Sequence, residues 1–320
     1  MNPYPTILAA VLPVFGIIAC GFAVRRLEWL TEEADASLLR VTIQLLVPCL
    51  VLDSALGNPA LGQWRNLVWA PLTGFVTVAL GMAVAAAARR LHGLRESAAV
   101  RTFTVTVGIY NYGYVPIPLA VLLFDKATTG VLFLFMVGVE TALWTLGVLG
   151  LAARGTGRID WRRLLNAPLV AIVVALLLNS VQGQAWIPVP VRTALHWLGQ
   201  CAIPTALLLI GAVVADHLGR FRSAAGWRVM GTAVVLRLGV LPALFLLLAR
   251  LLPGTPELQR VLVLEAAMPA AVFPIVMARQ YGGDVATALQ VVLSTSVVSL
   301  VTMPLWIRAG LAWIGGGAEF

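Results

Sequence analysis

The hydrophobic residues of this chain lie in long, almost uninterrupted blocks rather than in alternating or amphipathic patterns. A helix that crosses a bilayer needs about 20 consecutive apolar residues, and short turns rich in Gly and Pro separate blocks of about that length. The pattern predicts ten membrane-spanning helices at 4–24, 34–56, 67–88, 97–124, 129–153, 161–181, 193–215, 228–251, 257–279 and 285–307. Because no basic segment precedes the first block, we expect it to be retained as a helix rather than removed as a signal peptide.

The composition excludes an ordinary soluble protein. Hydrophobic residues make up 60% of the 320 residues and charged residues 11%, against roughly 45–50% and 25% in soluble domains. Ten spans would use nearly the whole chain, so no large domain is expected outside the membrane. The three cysteines lie inside apolar blocks without metal-ligand or disulfide spacing, and we expect neither a metal nor a cofactor.

The net charge of +8 comes from short arginine clusters between the apolar blocks. This distribution is typical of loops held on the cytoplasmic side of a membrane, and it gives no reason to expect nucleic acid as a partner. Loops after odd-numbered spans hold fourteen basic residues and the opposite loops six. The pattern therefore predicts a multi-pass protein of the cytoplasmic membrane, with the connection at 154–163 inside and both termini outside. Nine or eleven spans would divide the clusters between the two sides.

Prolines recur at a fixed interval. Pro48 and Pro204 lie 156 residues apart in the second and seventh predicted spans, and Pro118 and Pro274 lie 156 residues apart in the fourth and ninth. This spacing predicts two five-helix repeats, residues 1–155 and 156–320. Because five is an odd number, the second repeat must be inverted relative to the first.

The fourth and ninth predicted spans are expected to be broken. Gly113, Pro116 and Pro118 interrupt the fourth, and Pro269 and Pro274 interrupt the ninth, because proline removes a helix donor and clashes with the preceding turn. Unwound backbone survives in a membrane only inside protein or beside water, so the two breaks should meet in the interior. Half-helices starting after Pro118 and Pro274 would point free N–H groups at that place, which favours an anion.

Side chains near the breaks supply further candidates for substrate binding. Asn111 can both donate and accept hydrogen bonds, and Tyr112 or Tyr114 could add a hydroxyl group. The candidate substrate-binding residues are Asn111, Tyr112, Gly113, Pro116, Pro118, Pro269, Phe273 and Pro274.

Five ionisable residues fall inside the predicted spans, where each costs about 2.5–3.5 kcal/mol at the bilayer centre. Asp53 and Glu140 are candidates for ion coupling. Arg40 and Glu265 lie near predicted span ends and are expected to snorkel to the membrane surface. Glu140 and Arg237 lie deeper in their predicted spans. They could form a structural pair, or they could belong to a proton relay. No metal cluster and no nucleophile–base arrangement is evident, so an enzyme is not expected.

The motifs resemble those of the auxin efflux carrier family, which includes plant carriers and bacterial permeases. The resemblance runs through Leu46-Val47-Pro48, Asn58-Pro59, Asn111, Ile117-Pro118-Leu119 and the segment from Met268 to Tyr281, with its Pro-x-x-x-x-Pro pattern. Together these pieces span nearly the whole chain.

The resemblance implies ten helices in inverted repeats, an architecture like that of sodium/proton antiporters and bile acid symporters, with a moving bundle on a scaffold. It implies transport of small organic anions such as mono- or dicarboxylates, with a site where the fourth and ninth helices cross. Val51 replaces a polar pocket residue of the plant carriers, so auxin recognition does not transfer. A Na⁺- or H⁺-coupled carrier and a non-transporting sensor remain alternatives. The small-residue face 74–81 could pack within the chain or in a homodimer.

Overall fold

The computed structural model describes residues 4–152, 165–217 and 226–315, and all regular structure in this part of the chain is helical. Helices are numbered in chain order. They are α1 (Tyr4–Arg26), α2 (Glu32–Ala55), α3 (Trp64–Ala87), α4 (Ser97–Gly108), α5 (Pro116–Leu123), α6 (Lys126–Leu151), α7 (Ala167–Ser180), α8 (Val189–His217), α9 (Trp227–Leu251), α10 (Pro256–Ala266), α11 (Phe273–Gln280) and α12 (Val285–Trp313).

Seven of these helices, α1, α2, α3, α6, α8, α9 and α12, are long and apolar enough to cross a membrane, and α7 is a shorter apolar helix. The prediction of an all-helical membrane protein is therefore confirmed, whereas the number of ten membrane crossings stays a prediction. The predicted connection 154–163 lies outside the described residues. Helices α2, α6 and α9 each contain one turn of π-helix, at Thr42–Leu46, Leu143–Gly147 and Leu236–Val240, a feature often found at functional sites.

One end of the molecule joins turns that are distant in the sequence. The side chain of Asn58, after α2, donates to the carbonyl of Lys126 at the start of α6, at 2.6 Å. The hydroxyl of Thr255, before α10, donates to Asn66 at the start of α3, also at 2.6 Å. These bonds satisfy buried polar groups and fix the helix ends against one another.

The opposite end is held by ionic and polar contacts. Arg25, at the end of α1, pairs with Asp35 at the start of α2 and with Asp216 near the end of α8. The backbone N–H of Asp284, before α12, donates to the hydroxyl of Thr102 near the start of α4 at 2.9 Å. In the described part of the chain, the turns before and after α2 therefore lie at opposite ends of the molecule, as do the turns before and after α3.

Helix α3 packs tightly between α6 and α4 through glycines. A Cβ atom at Gly138 of α6 would lie 1.7 Å from the carbonyl oxygen of Pro71, and one at Gly74 would lie 2.1 Å from a backbone oxygen of α6. At the other end of α3, a Cβ atom at Gly81 would lie 2.9 Å from the Cα atom of Gly108 in α4. Small residues allow this approach between membrane helices. The small-residue face 74–81 therefore packs within the chain.

Helices α1 and α8 pack in the same manner. A Cβ atom at Gly21 would lie 2.1 Å from the backbone oxygen of Leu208, and one at Gly211 would lie 2.0 Å from the oxygen of Ile18. This contact joins the first described helix to a helix of the second half of the chain.

Candidate functional site

Both helix interruptions predicted from the prolines are present. The chain is irregular between the end of α4 at Gly108 and the start of α5 at Pro116, and again between α10 and α11. The half-helices begin earlier than expected, because Pro116 is the first residue of α5 and Pro274 the second residue of α11. Proline fits the first helical turn, where its missing N–H has no helical acceptor.

The two irregular segments meet in the interior, as the cost of unpaired backbone requires. The N–H of Asn111 donates to the carbonyl of Pro269 at 2.8 Å, and the N–H of Ala271 donates to the carbonyl of Ile109 at 3.0 Å. The segments thus form a short antiparallel pair in place of the helical hydrogen bonds lost at the breaks. We call this pair the crossing.

A cavity of about 210 Å³ lies beside the crossing. Its walls come from α2, from both irregular segments, from α5 and α6, and from the beginning of α7. The lining residues are Ile43, Val47, Asn111, Tyr112, Gly113, Tyr114, Ile117, Met136, Glu140, Leu143, Trp144, Asn166, Pro168, Ala271, Val272 and Phe273. The lining is mostly apolar with a few polar groups, which is the usual composition of a small-molecule site.

The structure brings together part of the predicted substrate site. Asn111, Tyr112, Gly113 and Phe273 line the cavity, and Tyr114 joins them. The four predicted prolines are absent from the lining in the described part of the chain; they shape the crossing and begin the half-helices. They are Pro116, Pro118, Pro269 and Pro274.

Asn111 is the most polar group that the crossing places at the cavity. It is buried, and its side-chain oxygen accepts a long hydrogen bond of 3.4 Å from the N–H of Val115. Within the described ranges its Nδ2 group has no acceptor, so this donor is available to a ligand.

The two half-helices differ in what they offer an anion. In α5, Pro116 and Pro118 have no N–H, and the N–H groups of Ile117 and Leu119 are bonded to carbonyls of the preceding segment. At the start of α11, the N–H groups of Val272, the residue before the helix, and of Phe273, its first residue, have no acceptor among the residues that the structure describes. Both residues line the cavity. The expected free helix start therefore occurs at α11, where it favours negative charge.

The two candidate acids for ion coupling occupy different places. Glu140 lies near the middle of α6 and lines the cavity, where its carboxylate accepts a hydrogen bond from the side-chain nitrogen of Asn166. Asp53 lies near the end of α2 and bonds to the ring of His196 at 3.0 Å on the partly exposed surface. Asp53 does not line the cavity.

Sequence reasoning left the role of Arg237 open, and the structure places it directly behind the crossing. Its fully buried side chain donates to the carbonyl of Met268 at 2.9 Å and to that of Glu265 at 3.1 Å. The guanidinium group also stacks over the rings of Tyr110 and Phe245, at 4.5 and 5.1 Å. Arg237 thus neutralises the carbonyl end of the half-helix α10 and stabilises the second break, rather than pairing with Glu140.

The expectation that Glu265 snorkels to the membrane surface is wrong. Its side chain is fully buried, and both carboxylate oxygens lack a hydrogen-bond partner within the described part of the protein. The cause is the break itself: Glu265 is near the end of α10, and α10 ends inside the protein rather than at its surface.

Asn166 also lines the cavity, although it is not among the predicted site residues. Its sequence context does contain a signal for its position. Asn followed two residues later by Pro marks a helix start, and Asn166 caps α7 by accepting from the N–H of Leu169 at 2.9 Å. The span predicted at 161–181 places Asn166 inside a helix, whereas the structure places it at the helix start. Residues 161–164 lie outside the described part of the chain.

Long apolar helices with a mostly apolar cavity beside two paired helix interruptions define a multi-pass membrane transporter. Comparison with known families agrees, since a family model described as membrane transport protein matches residues 6–160 and 156–307. The chain belongs to this family, the auxin efflux carrier family.

Relatives match over nearly their whole length. A protein named "Uncharacterized transporter" from Methanothermobacter thermautotrophicus is 27% identical over 300 residues, which cover 92% of this chain and 96% of the relative. A protein named "Putative malonate transporter" from Rhizobium meliloti is 26% identical over 316 residues, 93% of each chain.

Proposed function

We propose that this protein is a secondary carrier that moves a small carboxylate across the cytoplasmic membrane by alternating access. The observation that carries the proposal is the cavity at the crossing, where an unpaired amide and a free helix start face the same space. Discontinuous helices that present N–H groups to an anion are a recurrent device of secondary transporters. The relative named for malonate supports a carboxylate as the substrate.

The proposed topology has ten crossings. In it, α4 with α5 and α10 with α11 each complete one crossing, and residues 1–155 and 156–320 form inverted repeats. The opposite ends at which the turns before and after α2 and α3 lie support this arrangement. The arginine distribution supports a non-cytoplasmic location for both termini.

In the proposed binding mode, backbone N–H groups and side chains both form hydrogen bonds with the substrate. The N–H groups of Val272 and Phe273 and the Nδ2 group of Asn111 would hold one carboxylate, while the hydroxyls of Tyr112 and Tyr114 remain for a second polar group. The apolar remainder of the lining excludes water from the carbon skeleton.

Replacing Asn111 with alanine tests the site. A hydrogen bond to a charged group contributes about 1.5–3 kcal/mol, so we expect exchange of the substrate to fall by roughly 10- to 100-fold. The measurement is counterflow of radiolabelled malonate and a panel of mono- and dicarboxylates in proteoliposomes. Gln63→Ala, which removes an exposed amide at the start of α3, is the control and should exchange normally.

Two results would contradict these proposals separately. Normal exchange by the Asn111 variant would place the substrate elsewhere. If the wild-type protein binds carboxylates without exchanging any of them, it is a sensor rather than a carrier.

Ion coupling is a second candidate property, and Glu140 favours it because it shares the cavity with the proposed substrate. Asp53 stays a prediction, tested by whether Asp53→Asn removes dependence of uptake on a Na⁺ or H⁺ gradient.

A homodimer is a separate proposal, and cross-linking of the protein in membranes would test it.

A further inference from the structure

Glu140 lies at a position where an ionised carboxylate is energetically costly. It lies fourteen residues beyond the start of α6, about 21 Å along the helix at 1.5 Å per residue, and therefore deep in the membrane. An ionised carboxylate at that depth is costly unless a charge or several hydrogen bonds compensate it. Within the described residues, one hydrogen bond, from Asn166, reaches the Glu140 carboxylate, and no cationic side chain forms a salt bridge with it.

Asn166 is held in one orientation by the start of α7. Its side-chain oxygen is occupied as the helix cap, accepting from the N–H of Leu169. Its nitrogen must therefore face Glu140, and a nitrogen is a donor that can serve a carboxylate or the carbonyl oxygen of a carboxylic acid. Asn166 is thus a positioning residue for Glu140.

Among the residues that the structure describes, the remaining groups around Glu140 carry no opposite charge. The titratable groups beside it are the hydroxyls of Tyr112 and Tyr114, from the first irregular segment. The other walls present apolar side chains: Ile43 and Val47 from α2, Met136, Leu143 and Trp144 from α6, Pro168 from α7, and Ala271, Val272 and Phe273 from the second irregular segment and α11.

We propose, building on the carrier function above, that Glu140 binds the proton that is moved together with each carboxylate. Two ionised carboxylates in one cavity repel each other, so the anion binds more tightly when Glu140 is neutral. By linkage, the bound anion increases the proton affinity of Glu140 by the same factor. The carboxylate oxygen takes one proton from the side to which the cavity opens and releases it on the other side after the anion leaves.

The geometry favours a proton over a metal cation. A hard cation needs several oxygen ligands, whereas the atom of Asn166 that faces Glu140 is a nitrogen donor and its oxygen is already used at the cap. The other oxygen-bearing side chains in the described lining are the two tyrosine hydroxyls and the amide of Asn111, whose oxygen already accepts from the N–H of Val115. Glu140 is the one carboxylate in that lining.

The test uses the full chain in proteoliposomes with the membrane potential clamped. With the outside one pH unit more acidic, one proton per malonate predicts accumulation of radiolabelled malonate up to about tenfold, accompanied by acidification of the lumen. Protein-free liposomes measure passive diffusion of the uncharged acid. Glu140→Gln should lose accumulation and proton movement, and this loss should be much larger than any change in its malonate exchange at equal pH. Glu140→Asp keeps a carboxyl group and should retain accumulation, as should Glu33→Gln, which removes an exposed acid.

The outcomes separate this proposal from the carrier function. Exchange without accumulation in the wild-type protein would overturn proton coupling and leave the carrier function standing. Absence of exchange with every carboxylate would overturn the carrier function itself. Accumulation that persists in Glu140→Gln, or that follows a Na⁺ gradient instead of a pH gradient, would exclude Glu140 as the proton site.

Asn166→Asp provides an independent readout. Aspartate still caps α7 but removes the donor and adds a second carboxyl group beside Glu140. We expect the pH of half-maximal uptake to rise by about one unit, because a like charge favours the neutral acid. A merely structural role would lower uptake equally at every pH, and an unshifted profile would contradict the proposed positioning of Glu140.

Discussion

Arg237→Met is expected to destabilise the protein severely, although Arg237 does not line the proposed substrate cavity. The substitution removes both hydrogen bonds to the carbonyls at the end of α10. It also removes the positive charge that acts on the buried Glu265 carboxylate, which has no hydrogen-bond partner in the described part of the protein. Breaking a buried charged arrangement costs about 3–5 kcal/mol. In detergent, we expect the midpoint of thermal unfolding to fall by on the order of 10 °C, measured by the loss of monodisperse protein on heating.

Two companion variants identify the cause of that loss. Arg250→Met removes an exposed arginine from the same helix, stacked on Trp313 at 4.7 Å, and should change the midpoint by no more than about 2 °C, as expected for surface sites. Adding Glu265→Gln to Arg237→Met removes the isolated acid and should recover part of the stability. Equal midpoints for the two arginine variants would show that the contacts behind the crossing contribute little.

The sequence predicted the crossing because its signal is local. Two prolines within five residues near the middle of an apolar block favour an interruption, whereas single prolines such as Pro204 and Pro304 lie inside continuous helices. Backbone groups freed in a membrane must then find partners inside the protein. The start of the half-helices was misplaced because proline in a first turn is compatible with a helix, so Pro116 begins α5 instead of preceding it.

The partners of buried polar side chains could not be predicted in this way. Arg237 bonds to carbonyls 28 and 31 residues away, and nothing in the periodicity of α9 reveals which helix it faces. Asn166 meets Glu140 across 26 residues, so the capping signal could have located the start of α7 but not the acid beside it. These contacts depend on tertiary packing, which composition and spacing leave open.

Gly138→Ala is the second substitution expected to have a large effect, although it adds only one methyl group. Its Cβ would lie 1.7 Å from the carbonyl oxygen of Pro71 and 2.9 Å from the N atom of Phe75. Both obstacles are backbone atoms of α3, so no side-chain rotation can make room and the two helices must separate. Overpacking of this kind costs about 1–3 kcal/mol, occasionally more. We expect a lower unfolding midpoint and reduced yield of folded protein.

Replacing Gly231 with alanine should instead increase the stability of the folded protein. Gly231 is an exposed position of α9, and a Cβ there meets no atom within 4 Å. Alanine should therefore stabilise the helix by about 0.5–1 kcal/mol through its higher helix propensity. Parallel thermal unfolding of the two variants separates packing from propensity, because propensity favours alanine at both positions. If Gly138→Ala raised the midpoint as Gly231→Ala does, the close contact between α3 and α6 would be absent from the folded protein.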